Sequence, residues 1–546
     1  MLKSACLASK QLQWGLTLKN AYIGREKMKK MMIFFGVILF CFSHMYPQQQ
    51  QVETVHLTLK DCILKAMEDN LDIAVQAYDP AISDLSVSQA KEIYWPQLSL
   101  GYTNYNYNRL SNWAVEGTNY TTQNLNYSFS LSQQVSTGGN INVNLYSASS
   151  DTTRALTLVN PSYTGQLELR ITQPILRGFG SMNRNNIDIK KARNTSDMSV
   201  TGLKSSLIQK VYEVEAAYWN LVYAIESLKV NETILDQTKE RLNITKEAER
   251  IGVKSPLEVL GTETEVANYE NRVIASRAQT ETYEDRLKGI LNFPAEGLVS
   301  SKSLTPTDEP VLEKLDLSFE EALKIANTES PEMEKFLKEI ENTRLDVKYY
   351  KNQLLPQLDL EASLWFDGQS GDLLVYKNND PYSGEIIDKI EGSRFDSIKD
   401  VFGFKYKNWY VRLNLTIPLD TLFSKAGLAK AKLEEEKKLK EIEKTRQEIY
   451  YAVLEAYKEL QNREKEVESA SRYRELAEKR LEAEEQRYNL GLVGNEWLFQ
   501  YQRDVANARV SEIKSIVDYK VSIAKLEMSM GVNLKKKNIA YKQYQF

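Results

Sequence analysis

The sequence is poor in the side chains that carry metal and nucleophilic chemistry, with three cysteines and two histidines among 546 residues. Cys6 and Cys41 fall in an N-terminal segment expected to be removed, which leaves Cys62 with no partner for an internal disulfide, even in an oxidising compartment. Cys62 sits on the apolar face of a predicted helix and reads as a small buried hydrophobe. His56 is the only histidine past that segment, so no cysteine–histidine metal spacing exists. Neither a nucleophile motif nor a phosphate-binding glycine loop is present. An enzyme is therefore disfavoured, and no metal or cofactor is expected. Downstream of the N terminus no apolar run approaches the ~20 residues of a spanning helix, so a membrane role would need strands. The formal net charge of −4 carries no basic excess and argues against a nucleic-acid partner.

The N-terminal segment does carry an export signal. Met28-Lys29-Lys30 leads into an apolar run from Met31 to Phe42, then Ser43 and the polar stretch Pro47 to Gln51, the layout of a secretory signal peptide. The expected organisation is upstream sequence from a misassigned start over residues 1–27 and a signal peptide over 28–47. Cys41 invites a lipoprotein reading, which the bulky Phe40 before it opposes. Cleavage would remove seven Lys/Arg and one Glu and move the net charge to about −10.

The remainder is written twice. Pro96-Gln97-Leu98 followed by Leu100 recurs 260 residues later as Pro356-Gln357-Leu358 followed by Leu360. The same shift carries Leu57, Leu59, Ile63 and Ala66 onto Leu317, Phe319, Leu323 and Ala326. Further on, Ile251-Gly252-Val253 and Val266-Ala267-Asn268 recur 239 residues later as Leu490-Gly491-Leu492 and Val505-Ala506-Asn507. A unit this long is a duplicated half-protein, far above the ~20–50 residues of stacked arrays. The halves are expected over 48–312 and 313–546.

Each half combines long helices with short amphipathic strands. From Val200 to Leu242 apolar positions step by three and four, and the same stepping runs from Leu439 to Leu481 at the offset of 239, interrupted by Arg446, Arg463 and Arg474. The arginines are expected to snorkel or to pair with Glu across the seam. A second stripe runs through Tyr212, Ala216 and Trp219 in one half and Tyr450, Leu454 and Tyr457 in the other, so each helix has neighbours on both flanks, as in the wall of a tube. The pattern predicts long helices from about Ile187 to Ile251 and about Ser424 to Leu490. Each faces two shorter ones: about Leu59 to Tyr94 with Pro256 to Leu291, and about Glu320 to Tyr350 with Asn495 to Met530. Between them the period becomes two, at Leu98–Tyr102, Leu167–Ile171, Leu358–Leu360 and Val411–Leu415, and the strand pairs end at Pro174 and Pro418. A further hairpin, Tyr127–Leu131 and Ile141–Leu145, turns through Thr137-Gly138-Gly139-Asn140. Strands of about ten residues cross a membrane when tilted, and the same alternation also suits a soluble antiparallel sheet. The export signal and the clustered Tyr and Trp favour the membrane. Four or six strands per protomer remain open.

With its duplicated strand–helix halves, Pro-Gln-Leu before strands, Gln173-Pro174-Ile175-Leu176-Arg177-Gly178-Phe179-Gly180 after one, and Gly252 and Gly491 at helix turns, the chain resembles the TolC-like outer-membrane efflux proteins over most of Val55 to Leu534. The resemblance implies an α+β membrane protein. Its duplicated halves would form, as a homotrimer, an outer-membrane β-barrel continued by a long periplasmic α-helical barrel. It also implies a periplasmic adaptor protein, an inner-membrane pump and outer-membrane lipid as partners, with small solutes or polypeptides as cargo. The trimer has an independent motive, because four to six strands cannot close a barrel that needs about eight. The turns, Gly252 and Val253 in one half and Gly491, Leu492, Val493 and Gly494 in the other, are then the periplasmic tips that touch the adaptor. Glycine there also serves as an ordinary helix cap. Relatives narrow their entrance with acidic residues after the second-half glycine. Here Trp497 and Gln500 occupy those positions beside Glu496, and Glu258 is the first-half acid, so these four are the candidate constriction. The rival reading is a periplasmic coiled-coil scaffold or adaptor, which accounts for the heptads but not for tyrosine-rich strands in both halves.

Overall fold

The computed structural model describes residues 53–111, 119–293, 302–417, 421–490 and 492–539. The expected leader, Met1 to Pro47, lies outside the described residues, as do Pro418 and Gly491. In chain order the first half runs β1 (Glu53–Leu57), α1 (Leu59–Asp69), α2 (Leu71–Gln76), α3 (Tyr78–Lys91), β2 (Gln97–Leu110), β3 (Asn119–Gln134), β4 (Asn140–Thr152), β5 (Val159–Pro174), α4 (Arg184–Arg250) and α5 (Pro256–Ile290). Strand β6 (Lys302–Pro306) ends that half, and the second runs α6 (Phe319–Glu329), α7 (Pro331–Asn352), β7 (Gln357–Tyr376), β8 (Ile386–Ile390), α8 (Arg394–Phe402), β9 (Tyr406–Thr416), α9 (Thr421–Asn489), α10 (Asn495–Ser529) and the short α11 (Asn533–Lys536). Strands β1 and β6 form a two-stranded sheet of their own, and the described residues 53–55 and 302–305 belong to a small unit distinct from the larger one.

Within the larger unit the duplication is physical down to the caps. Thr58 and Ser318, 260 residues apart, each close a capping box, with Asp61 and Glu321 reaching back to the cap backbone. Asn70 and Ser330, at the same spacing, each cap the start of a further helix. These caps correct two expectations. The flank expected as one helix from Leu59 to Tyr94 is three helices and a 3₁₀ turn, and that from Glu320 to Tyr350 is two. The physical reason is that the Asn70 side chain accepts from the amides of Asp72 and Ile73, and Pro331 has no amide to continue a ladder. Helices α5 and α10 begin and end 239 residues apart, as the sequence repeat requires.

The long helices lie at the expected positions and bury the expected seams. On α4, Leu207, Val211, Val214, Tyr218 and Leu221 are fully buried, and on α9 Val453, Ala456, Leu460 and Val467 are buried against Tyr519 and Leu526 of α10 and Ala326 and Met333 of α6 and α7. Each such aliphatic side chain contributes about 1.5–3 kcal/mol on leaving water. Helix α4 packs against α3 and α5 of its own half and against α7 and α10 of the other, which explains its two stripes. The seam arginines divide. Arg463 pairs with Asp518 at 3.4 Å and Arg474 with Glu512 at 2.5 Å, both across to α10, whereas Arg446 is exposed and its neighbour Thr445 is buried in its place. Leu439, expected in the seam, is also exposed. Cys62 is fully buried, and burial pushes its thiol up to about 12.

The sheet is antiparallel in the order β2-β3-β4-β5-β7, with β9 pairing the first half of β7 and β8 its last residues. The hairpin β3–β4 sits inside the sheet between β2 and β5, so one chain offers six strands across. The strands are longer than expected, with 16 residues in β3 and β5 and 20 in β7.

Candidate functional site

Residues directly opposite each other in an antiparallel pair share a face. Register therefore sorts the sheet without further assumption. One face carries the row Leu98, Leu131, Val143, Leu169, Leu364 and Trp409, and beside it Leu100, Phe129, Leu145, Leu167 and Phe366. The opposite face carries Ser, Asn and Thr with a charged cluster: Arg170 pairs with Glu168 at 2.7 Å and stands 3.8 Å from Glu361, which lies 3.7 Å from Arg412. Ser363 and Tyr410 donate hydroxyl hydrogen bonds to Glu168 and Glu361 at 2.7 and 2.5 Å. An apolar outside and a polar, internally paired inside are the two walls of a water-filled transmembrane barrel. The alternation Leu167-Glu168-Leu169-Arg170-Ile171 is legible in the sequence, but this cluster is not. Its signal was the charged pair at two-residue spacing, which only cross-strand register joins to Glu361 and Arg412.

The candidate tip residues lie at the ends of the helices farthest from the sheet. Gly252 adopts φ +81°, the left-handed cap that a β-carbon would strain, and the amides of Gly252 and Val253 donate to Glu249 and Ala248 at 2.8 Å each. Ser255 then starts α5 with a capping box: its hydroxyl accepts from the Glu258 amide at 3.3 Å and the Glu258 carboxylate accepts the Ser255 amide at 2.9 Å. Lys254 takes the other Glu258 oxygen at 2.7 Å, so the carboxylate is fully engaged. The Lys254 hydrogen bond, then the Ser255 amide, holds its pKa below the usual carboxylate value. A carboxylate shifted this way stabilises the turn above its unfolded pKa and loses that contribution as pH falls through the lowered folded value. Amide protection over residues 253–260, corrected for intrinsic exchange, should therefore fall as pH drops below the ordinary carboxylate range, and Glu258→Gln should flatten that dependence at a cost of only ~0.3–0.5 kcal/mol, since glutamine keeps the capping box and loses the ion pair.

In the second tip Gly491 lies outside the described residues. Gly494 caps α10 with no side-chain bond, and Leu492, Glu496, Trp497 and Gln500 are exposed, with Val493 half-buried. Trp497 keeps 55% of its surface in one protomer. Apolar side chains crowd both tips, with Ile251, Val253, Leu257 and Leu260 exposed on the first and Leu490 and Leu492 on the second. The tips are joined through Tyr488, whose ring lies 5.3 Å from the Lys254 ammonium and 5.6 Å from the Arg241 guanidinium. Structure thus separates the four constriction candidates. Glu496, Trp497 and Gln500 share the first turns of α10, and Glu258 is bound into the cap of α5.

Comparison with known proteins gives the following. A family model described as outer membrane efflux protein matches residues 140–292 and 322–532. No curated protein matches the sequence. Among solved structures, CusC, described as forming a transmembrane channel, superposes with a TM-score of 0.61 at 13% identity, over 89% of this chain and 95% of that one. The Campylobacter jejuni CmeC outer membrane channel gives 0.59 at 14% identity, over 88% and 89%. The open state of the Neisseria gonorrhoeae MtrE outer membrane channel gives 0.57 at 16%, over 87% and 88%.

Proposed function

The chain belongs to the outer membrane efflux protein family, and from that premise we propose that it is the outer-membrane channel of a tripartite efflux or type I secretion system, fed by an inner-membrane pump through a periplasmic adaptor. The observation that carries this reading is the open sheet. Strands β2 and β9 each leave one edge unpaired among the described residues while one face carries apolar rows over the half nearer the long helices, and such a sheet is stable in a bilayer only when closed on itself. Closure by a homotrimer gives eighteen strands, six from each protomer. The helices offer matching flanks, with Leu71, Val75, Tyr78, Ile82 and Leu85 exposed on α2 and α3, and Leu433, Tyr451, Tyr473 and Leu476 exposed on α9. Cross-linking and mass measurement in detergent should give three chains, with heat-sensitive migration on a denaturing gel. A monodisperse monomer that stays soluble would return the chain to the scaffold reading.

The tips Gly252–Val253 and Gly491–Gly494, with their exposed apolar side chains, are the surface for the adaptor. Trp497, Glu496 and Gln500 narrow the entrance, Gln500 standing at i+3 and i+4 from the other two. Glu258, neutralised by Lys254, acts through the shape of the turn. Trp497→Ala should therefore raise single-channel conductance in planar bilayers, while Glu258→Gln should leave ion preference close to that of the unmodified channel. Unchanged conductance in Trp497→Ala would move the constriction elsewhere.

A further inference from the structure

Helix α8, in the connection between β7 and β9, lies on the apolar face of the sheet. Gly165 and Gly368 are register partners on that face, and an added β-carbon at Gly368 would sit 2.9 Å from Val401 and closer still to the Ser397 carbonyl. At Gly165 it would lie 3.0 Å from Val401 and 3.5 Å from Ile398. Ser397 and Val401 are fully buried there, and Arg394 reaches across to the Ser147 and Leu125 carbonyls and lies 4.9 Å over the Tyr127 ring. This packing lies immediately beyond the uppermost apolar row, on the side away from the long helices. Beyond Leu145, Leu167 and Phe366 the same face turns to Ser147, Gly165 and Gly368.

The apolar rows of the sheet are short. From Leu358 to Phe366 on β7, at about 3.3 Å per residue and a tilt near 40°, they span about 20 Å of height, against about 25 Å for the outer band of membrane barrels. The α8 region fills the difference. Phe402 and Phe395 stay more than half exposed on the flank shared with Ile398, which borders the groove of Leu100, Phe129 and Leu145. Just past the helix, Phe404 rests on Phe366 with ring centroids 4.6 Å apart and keeps 57% of its surface. Asp396 and Asp400 occupy the opposite flank, about 100° per residue around the helix. Lys399 and Lys407 stand exposed beside this apolar surface, where long cationic side chains reach a phosphate headgroup layer while their stems stay in apolar surroundings, and Lys405 pairs with Asp400 at 3.3 Å.

We propose that α8 is an exterior lipid-contact helix that completes the hydrophobic band at the outer leaflet, with Phe402, Phe404 and Ile398 against acyl chains and the lysines at the headgroup level. This rests on the outer-membrane barrel reading, because the acyl chains that meet Leu413 and Val411 are the same layer continued upward. The test is nitroxide accessibility in phospholipid vesicles, using single introduced cysteines at Phe402, Val411 and Asp396. Cys6 and Cys41 are replaced by alanine, and the buried Cys62 is left in place. The label at Phe402 should lose its broadening by a water-soluble nickel chelate and respond to oxygen as Val411 does, while Asp396 keeps the nickel effect. A nickel effect at Phe402 equal to that at Asp396, with Val411 still lipid-exposed, overturns the proposal and leaves the barrel standing. A nickel effect at Val411 overturns the barrel itself.

Discussion

Arg503→Leu is expected to destabilise the tip-proximal helices by up to about 3 kcal/mol, the low end of the range for leaving one member of an ion pair buried alone, because Arg503 itself keeps 36% of its side-chain surface. Glu265 on α5 keeps only 7% of its side-chain surface, and Arg503 on α10 is its partner at 2.9 Å. The other Glu265 oxygen is buried without a hydrogen bond, so losing Arg503 leaves the whole carboxylate without compensation. Amide exchange over residues 256–290 and 495–529 measures the loss. The double variant Glu265→Leu with Arg503→Leu should recover most of it, since a well-packed apolar pair replaces a buried ion pair at little cost. A double variant as unstable as the single one would show that Arg503 acts through packing of its stem.

Gly368→Val should drive α8 off the sheet. Its β-carbon would overlap the Ser397 carbonyl, a backbone atom that cannot rotate away, so the overpacking penalty falls at or above the usual ~1–3 kcal/mol. Limited proteolysis should then cut within α8, between Arg394 and Phe402, faster than in the unmodified protein, while the mass of the assembly stays the same. Gly165→Ala is the graded control: its β-carbon meets the Val401 side chain at 3.0 Å, which can give, so cleavage should rise far less. Equal resistance in both variants would mean that α8 does not depend on the Gly165–Gly368 contact.

Periodicity made the long helices legible, because a stripe sustained over some forty residues has few competing explanations, and the 260 and 239 offsets fixed where each piece recurs. Short-range chemistry was legible in principle and passed over. Ser330-Pro331 is a cap followed by a first-turn proline, and Ser393-x-x-Asp396 ahead of Ile398 and Val401 is the capping box that starts α8. Arg446 shows the limit of stripe counting, since a one-residue rotation of the seam exchanged it with Thr445. The charged cluster on the polar face could not be read at all from one strand, because Arg170 and Glu361 meet only through register. Among the tip residues, the cap role of Glu258 was visible as Ser255-x-x-Glu258, whereas its ion pair with Lys254 needed coordinates.

The contacts at the helical ends also fix how many parts an entrance of this kind can have. Tyr488 is gripped by Lys254 and Arg241, and Glu265 by Arg503, so the two hairpins of a protomer are fastened at the turn and again farther up. In the proposed trimer they form a single leaf, so an iris of three such chains has three leaves in place of six, and each opening step would move a whole protomer's share of the aperture at once.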